Sequence, residues 1–429
     1  YMANMSQYGG PLHDSWFEKR TDLARKNQRV MKTLGMNAVL QGYCGLVPAD
    51  ILNHDKNANI ILQGTWCSFD RPPMLRTTSE CFARYSKMFY EAQCEVYGNI
   101  SNYFATDPFH EGGNMSDMSA REVSTLVLKQ MLDYNEDAVW VIQSWMSNPS
   151  SELLAGIGDV NNGRNHALIL DLYAEKQPNY NKGCKDNPDH GYSPEFDSTP
   201  WVFCMLNNFG GRCGLHGHID NLANWIPQVF NSCKYISGIG ITSESTYCNP
   251  VLYDFLFELV WQDDAEYDMQ TIDLKDWVHK YSERRYGIKS AALSKAWDIL
   301  INTVYKAEFN MSGQGGADVI SNSKPALKVR AASSWGNGSV MYDKQLLIEA
   351  GKLLIEEYSN LKNNQGYVWD VVSVFQQILA NRSQDVQLEL AEAFTIDKEE
   401  NELAKKTIET EVSEEIEVTI PAESTEEVV

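Results

Sequence analysis

Six short β-rich runs alternate with helix-like stretches along the N-terminal part of this chain. The runs are Met36–Tyr43, Asn99–Ala105, Ala138–Trp145, Ala167–Tyr173, Trp201–Leu206 and Tyr235–Ile241. Between them lie Ser79–Tyr97, Ala120–Tyr134 and Asn221–Phe230, and Trp16–Leu34 precedes the first. Strands that are apolar along their whole length are buried on both faces. With helical crossovers between them, they make a parallel sheet covered by helices. Six βα units are two short of a closed (β/α)₈ barrel. The expected fold class is therefore α/β: an incomplete (β/α)₈ barrel followed by an all-α domain. The missing pair would lie upstream of Tyr1, so the chain reads as a fragment.

The pattern changes beyond Asp263. Asp276–Tyr286, Ala292–Ala307, Lys344–Leu361 and Val368–Ala393 repeat apolar residues at helical spacing, and β-rich runs stop. The expected division is a partial barrel over 1–265, a truncated helical domain over 266–395 and an acidic tail over 396–429. Asp397–Val429 holds twelve acidic and three basic residues and no aromatic one, so it reads as disordered.

A net charge of −22 argues against nucleic acid or an anionic membrane as partner. No apolar run reaches the roughly 18 residues of a membrane-spanning helix. The opening Tyr1-Met2-Ala3-Asn4-Met5 has no basic stretch followed by an apolar one, so no signal peptide is read there. Nine cysteines show no metal-type spacing, and the odd count leaves at least one unpaired within the chain. In strand contexts such as Cys204, a buried free thiol is expected. Six Asn-x-Ser sequons leave the compartment open, and a homo-oligomer is compatible with the sequence.

Two of the runs end in a glutamate. Asn99–Ala105 leads into Thr106-Asp107-Pro108-Phe109-His110-Glu111, and Tyr235–Ile241 into Thr242-Ser243-Glu244. A carboxylate in the loop after a barrel strand stands where such a barrel keeps its chemistry. Two of them suit a glycosidase, which needs one carboxylic acid to protonate the leaving oxygen and one carboxylate to attack the anomeric carbon. His110 and Asp107 stand beside Glu111 to hold and tune it. Sugar rings suit aromatic platforms and amides, and Trp66, Trp145, Asn207, Asn208 and Phe209 fall at strand ends. A rival reading is a metal-dependent barrel hydrolase using His216 and His218 with Asp220 and His110. There the two loop histidines are expected to face solvent instead.

Several motifs together resemble α-N-acetylglucosaminidases, glycoside hydrolase family 89. They are Tyr1-Met2-Ala3-Asn4-Met5 with Gly9-Gly10-Pro11-Leu12, Asp107-Pro108-Phe109-His110-Glu111-Gly112-Gly113 and Leu170-Asp171-Leu172-Tyr173-Ala174-Glu175. Cys204-Met205-Leu206-Asn207-Asn208-Phe209-Gly210-Gly211 is the sharpest, and Gly238–Glu244 and Arg284-Arg285-Tyr286-Gly287 complete the set. The resemblance runs from Tyr1 to about Phe394. It implies a (β/α)₈ barrel preceded by a small α/β domain and followed by a long helical one. It also implies retaining, exo-acting removal of terminal α-linked N-acetylglucosamine from heparan-sulfate-type or mucin-type glycans, without metal or cofactor, in a secreted or lysosomal-type setting. Matched position by position, Glu111 corresponds to the acid/base and Glu244 to the nucleophile. Trp66, Trp145, Leu172, Leu206 and Phe209 correspond to pocket-lining positions. Tyr8 stands where many relatives have tryptophan, Leu46 where histidine is usual, and Ser243 and Ser245 where proline and glycine are usual. These departures bear on specificity and loop shape and leave both carboxylates in place. A non-catalytic carbohydrate-binding remnant of such an enzyme is the alternative reading.

Overall fold

The computed structural model describes residues 12–66, 68–109, 111–181, 194–207, 214–244, 248–262, 272–306, 326–327 and 340–417. The chain divides into two compact units. One comprises Tyr1–Asn207, Asn221–Glu244 and Tyr253–Ile272; the other comprises Asn208–Asp220, Ser245–Leu252 and Asp273–Val429.

The first unit is built on six strands: β1 (Val39–Gln41), β2 (Tyr103–Ala105), β3 (Val139–Ser144), β4 (Ala167–Asp171), β5 (Trp201–Met205) and β6 (Ile236–Ile241). Each falls inside one of the six runs expected from sequence. They form one sheet in chain order, every neighbouring pair parallel. Strands in consecutive order with helical crossovers make a barrel-type sheet, because each connection winds the same way.

Helices α1 (Asp14–Thr33), α2 (Glu80–Tyr97), α3 (Ala120–Tyr134), α4 (Ser151–Gly158), α5 (Ile219–Ser232) and α6 (Pro250–Leu259) connect and flank the strands. Serine hydroxyls start three of them. Ser79, Ser119 and Ser150 accept from the N–H groups of Phe82, Glu122 and Leu153 and satisfy donors that the first turn leaves open. The core comes from both layers. Trp140, Ile142, Ile169, Trp201 and Phe203 of the strands are fully buried, as are Val123, Val127, Leu128 and Met131 of α3. Each such side chain stabilises the fold by about 1.5–3 kcal/mol. Helix α3 meets α4 closely: a Cβ at Gly156 would stand 2.1 Å from the Arg121 carbonyl oxygen. Only glycine allows that approach, and Ser124 and Thr125 use it to donate to the carbonyls of Leu153 and Gly156.

Between β1 and α2 the chain makes two small antiparallel pairs that the sequence pattern does not announce. Ile60–Ile61 pairs with Met74–Leu75, and Thr65–Trp66 with Phe69–Asp70. Two-residue strands are too short to show a period.

The second unit is helical: α7 (Leu274–Tyr286), α8 (Ala291–Ile301), α9 (Lys344–Glu356) and α10 (Gln365–Glu417). The expected helix over Lys344–Leu361 breaks at Glu357 into α9 and a short turn of helix, Tyr358–Leu361. Gly287 ends α7 in the left-handed conformation, φ +78°. A buried polar centre ties α7, α8 and α10. The Arg285 guanidinium donates twice to Asp370, Tyr286 donates its hydroxyl to the same carboxylate, and the Trp297 indole donates to that hydroxyl.

Helix α10 runs on to Glu417, so Asp397–Glu417, expected to be irregular, is helical. The charge count outweighed propensity in that expectation. From Tyr367 to Ile420 there is no glycine or proline, and Glu, Lys, Ala and Leu favour a helix even when exposed. Every described side chain from Glu392 to Leu403 is exposed. Deleting 397–429 should therefore remove helical circular-dichroism signal and leave the melting temperature within about 1 °C. A drop of several degrees would mean that this stretch packs against the fold.

Among the described residues no helix is long and apolar enough to cross a membrane. Cys44, Cys81 and Cys204 are buried free thiols, Cys94 is free and partly exposed, Cys248 is buried and Cys233 is partly exposed.

Candidate active site

The loops that leave the C-terminal ends of β2 to β6 enclose a pocket of about 340 Å³, lined by Glu111, Gln143, Trp145, Leu170, Leu172, Leu206, Thr242 and Glu244. Six of the eight form pairs two residues apart: Gln143 with Trp145, Leu170 with Leu172, Thr242 with Glu244. Residues i and i+2 of a strand share a face, so the ends of β3, β4 and β6 present matching pairs to one cavity.

Glu111 is held from three sides. The indole N–H of Trp66 donates to Oε2 at 2.6 Å, and that of Trp145 donates to Oε1 at 2.7 Å. The Arg71 guanidinium donates to the Glu111 carbonyl at 2.7 Å. The backbone at Glu111 is left-handed, φ +54°, followed by Gly112 and Gly113 at +108° and +126°. A non-glycine residue there costs on the order of 1–3 kcal/mol and persists because its surroundings fix it. Gln63 helps: it accepts from the Asn114 N–H at 2.9 Å and donates to the Asn114 carbonyl at 2.8 Å. This fastens the strand pair carrying Trp66 to the loop carrying Glu111.

Trp145 is presented by a tight turn in which it exchanges backbone hydrogen bonds with Asn148, both 2.9 Å. On the far side, the Thr242 N–H donates to the Met205 carbonyl at 3.0 Å and its hydroxyl to the Leu172 carbonyl at 2.8 Å. These bonds tie the base of the Glu244 loop to the ends of β4 and β5.

Behind the Leu206 wall lies a buried carboxyl, Glu175. Its Oε1 accepts the N–H groups of Leu206 and Asn207 at 2.9 and 2.8 Å. Burial pushes its pKa up to about 8, although those two N–H groups pull the other way. Asn207 is left-handed, φ +58°, and fully buried, and neither end of its amide has a hydrogen-bond partner among the described residues. A buried amide without partners costs about 1–3 kcal/mol for each unmet group, which is tolerated where a ligand supplies the partner.

Of the residues singled out in the sequence, Glu111, Trp145, Leu172, Leu206 and Glu244 line one pocket. Trp66 is 48% exposed and does not line it; its indole N–H serves the Glu111 carboxylate instead of stacking in the cavity. Tyr8, His110, Asn208 and Phe209 lie outside the described residues. Gln143, Leu170 and Thr242 were missed, although the two-residue spacing from Trp145, Leu172 and Glu244 would have found them.

The rival metal constellation comes out differently. His216 and His218, expected to face solvent, are fully buried and belong to the second unit, their rings edge to face at 5.0 Å. Leu215 and Ile219, also buried, flank the pair and carry it inward. Among the described residues no group of three or more His, Cys, Asp or Glu is arranged to hold a metal ion.

Comparisons with known proteins agree with the geometry. A family model described as the α-N-acetylglucosaminidase (NAGLU) TIM-barrel domain matches residues 1–263, and one described as the NAGLU C-terminal domain matches residues 277–419. Human α-N-acetylglucosaminidase is 28% identical over 392 residues, 88% of this chain and 49% of that protein. A family 89 glycoside hydrolase from Clostridium perfringens, carrying two glutamate-to-glutamine substitutions and bound to its substrate GlcNAc-α-1,4-galactose, is 35% identical. It superposes with a TM-score of 0.82 over 92% of this chain and 43% of that one. The family 89 enzyme from the same organism in complex with PUGNAc is 36% identical, with a TM-score of 0.83 over the same shares. The chain thus spans about half the length of the relatives it matches. With the barrel model alone covering more than half of its residues, the chain belongs to the α-N-acetylglucosaminidase family, glycoside hydrolase family 89.

Proposed function

We propose that this chain carries the catalytic centre of a retaining exo-α-N-acetylglucosaminidase, with terminal α-linked N-acetylglucosamine of heparan-sulfate-type or mucin-type glycans as substrate. The observation that carries this reading is one small pocket lined by two glutamates from the ends of separate parallel strands. A volume of about 340 Å³ is near the lower end for ligand sites and suits a single sugar ring.

In this reading Glu111 donates a proton to the glycosidic oxygen while the Glu244 carboxylate attacks the anomeric carbon. The leaving alcohol departs and a covalent glycosyl-enzyme remains. Glu111, now ionised, takes a proton from water, which attacks the same carbon and releases Glu244. Two inversions give net retention. Two indole donors and a pinned backbone keep Glu111 in one orientation through both steps, which is the rigidity that proton transfer requires. The Clostridium relative was captured with its substrate after two glutamates were replaced, which supports a carboxylate pair as the working groups.

Selectivity for the N-acetyl group needs more than apolar contact. Burying its methyl against Leu172 or Leu206 is worth on the order of 1 kcal/mol. Asn207, with an unpartnered buried amide beside Leu206, is the proposed polar partner of the acetamide. Asn208, the other candidate by sequence, lies outside the described residues. The test is hydrolysis of aryl α-N-acetylglucosaminide, α-glucoside and α-N-acetylgalactosaminide by the full-length protein, with the first-formed anomer read by NMR. The α-anomer of N-acetylglucosamine should form first, with a preference over the glucoside of ~100-fold or more. Asn207→Ala should narrow that preference about tenfold. An initial β-anomer would refute retention. Equal rates on the two sugars would refute the acetamide pocket.

A further inference from the structure

Asp107 lies two residues beyond β2, on the same loop as Glu111 and four residues before it. It does not line the pocket. Its Oδ1 accepts two donors from the end of β3: the Gln143 N–H at 3.0 Å and the Asn148 side-chain amide at 3.2 Å. That amide also donates to the Gln143 carbonyl at 2.6 Å. Gln143, in β3, and Asn148, which closes the turn that Trp145 opens, flank Trp145 in sequence. Asn148 further exchanges both backbone hydrogen bonds with Trp145, and the Trp145 indole returns to Glu111 Oε1 at 2.7 Å. The Asp107–Glu111 loop is therefore pinned at both ends to one turn. Asp107 holds Gln143 and Asn148, on either side of Trp145, and the Trp145 indole holds Glu111.

We propose that Asp107 is a positioning residue for Glu111, acting through the turn that carries Trp145. This rests on the reading of Glu111 as the acid/base.

One oxygen that takes a backbone donor and a side-chain donor together does what an apolar residue cannot. Without it, the Gln143 N–H is left unmet, the Asn148 amide keeps only its bond to the Gln143 carbonyl, and the turn loses its tie to the Glu111 loop. Asparagine keeps a carbonyl oxygen of the same reach, so the device tolerates Asp107→Asn and not Asp107→Leu. The cost falls on proton donation, because Trp145 holds Glu111 by a single hydrogen bond whose direction the turn sets. Misplacement of a reacting group by 1 Å is worth up to about 100-fold in rate.

The signature is a dependence on leaving group. In the full-length protein, kcat/KM is compared for an aryl α-N-acetylglucosaminide with a strongly acidic phenol and for a disaccharide ending in α-N-acetylglucosamine. Asp107→Leu should lose about tenfold or more on the disaccharide and several-fold less on the aryl substrate, whose leaving group needs little protonation. Asp107→Asn should stay within about threefold of the parent on both. If Asp107→Leu does not melt cooperatively, Asn148→Ala, which removes one of the two donors, should show the same split. Equal losses on both substrates, or no loss on either, would overturn the inference. Glu111→Gln measured in parallel separates the two levels. If that variant shows no leaving-group dependence, the reading of Glu111 fails. If it does and the Asp107 and Asn148 variants do not, only the positioning role fails.

Discussion

Glu244→Ala, at the proposed nucleophile, is expected to abolish turnover of every substrate, including aryl glycosides with good leaving groups, because in the proposed mechanism no covalent intermediate can form without the carboxylate. Glu111→Ala should behave differently. On disaccharides it should lose ~10²–10⁴-fold, the usual worth of a positioned acid. On activated aryl substrates the first step should survive and the glycosyl-enzyme should accumulate, because the water that must hydrolyse it has lost its base. Added azide then distinguishes the two sites. In Glu111→Ala the anion should enter the emptied acid/base position, attack the glycosyl-enzyme and give the α-glycosyl azide by a second inversion. In Glu244→Ala any rescue should give the β-glycosyl azide, from one direct displacement on the opposite face. The anomeric form of each azide, read by NMR, checks the assignment. The opposite pairing of variant and anomer would exchange the two roles. The two carboxylates reach the pocket from separate loops: Glu111, with two indole donors and a guanidinium on its carbonyl, from the loop after β2, and Glu244 from the loop after β6.

The parallel sheet was legible because its signal is local. Six apolar runs, each bounded by polar turns, needed nothing beyond their own composition, and each holds one strand of the sheet. The glutamates were legible for the same reason, as acidic residues just past apolar runs. The roles of Trp66 and Trp145 were not. Both could be picked out as aromatics near strand ends, but that their indoles meet on Glu111 is a fact of contacts 45 and 34 residues apart in sequence. Composition favoured a stacking platform, and the fold made hydrogen-bond donors. Gln143, Leu170 and Thr242 show a different gap. The outer residue of each strand end stands out by its chemistry, and period-two geometry brings the less conspicuous inner one with it. The histidine pair inverted an expectation of exposure, since a Gly-rich approach says little about where the following segment is buried. In the tail, net charge was allowed to outweigh helix propensity over a stretch without a breaker.

The fold should lose stability as pH rises, and Glu175 is the group through which to measure it. Its side chain is 1% exposed, and its pKa is raised from an ordinary 4.5 to about 8. Burial is the main cause, with the nearby Asp171 adding to it. Cys204 and Tyr173 are the other titratable groups in its field, and burial keeps both neutral over the relevant range. Between pH 4.5 and about 8 the folded state therefore holds a proton that the unfolded state has released. Stability falls with pH wherever the folded state binds more protons, so the penalty is absent below about pH 4.5 and complete above about pH 8. At about 1.4 kcal/mol per unit, its size is on the order of 5 kcal/mol. Glu175→Gln keeps an oxygen for the Leu206 and Asn207 N–H groups and cannot ionise. The variant should match the parent near pH 4.5 and become progressively more stable towards pH 8, by several kcal/mol in denaturant midpoint or a clear rise in melting temperature. A constant difference at all pH values would mean that Glu175 is not the titrating group. The same series reaches the site, because Glu175 fixes the backbone that carries the Leu206 wall and the Asn207 amide. If ionisation of Glu175 loosens that wall, the parent should lose affinity for an N-acetylglucosamine-type inhibitor as pH rises towards 8, and Glu175→Gln should hold its affinity over the same range.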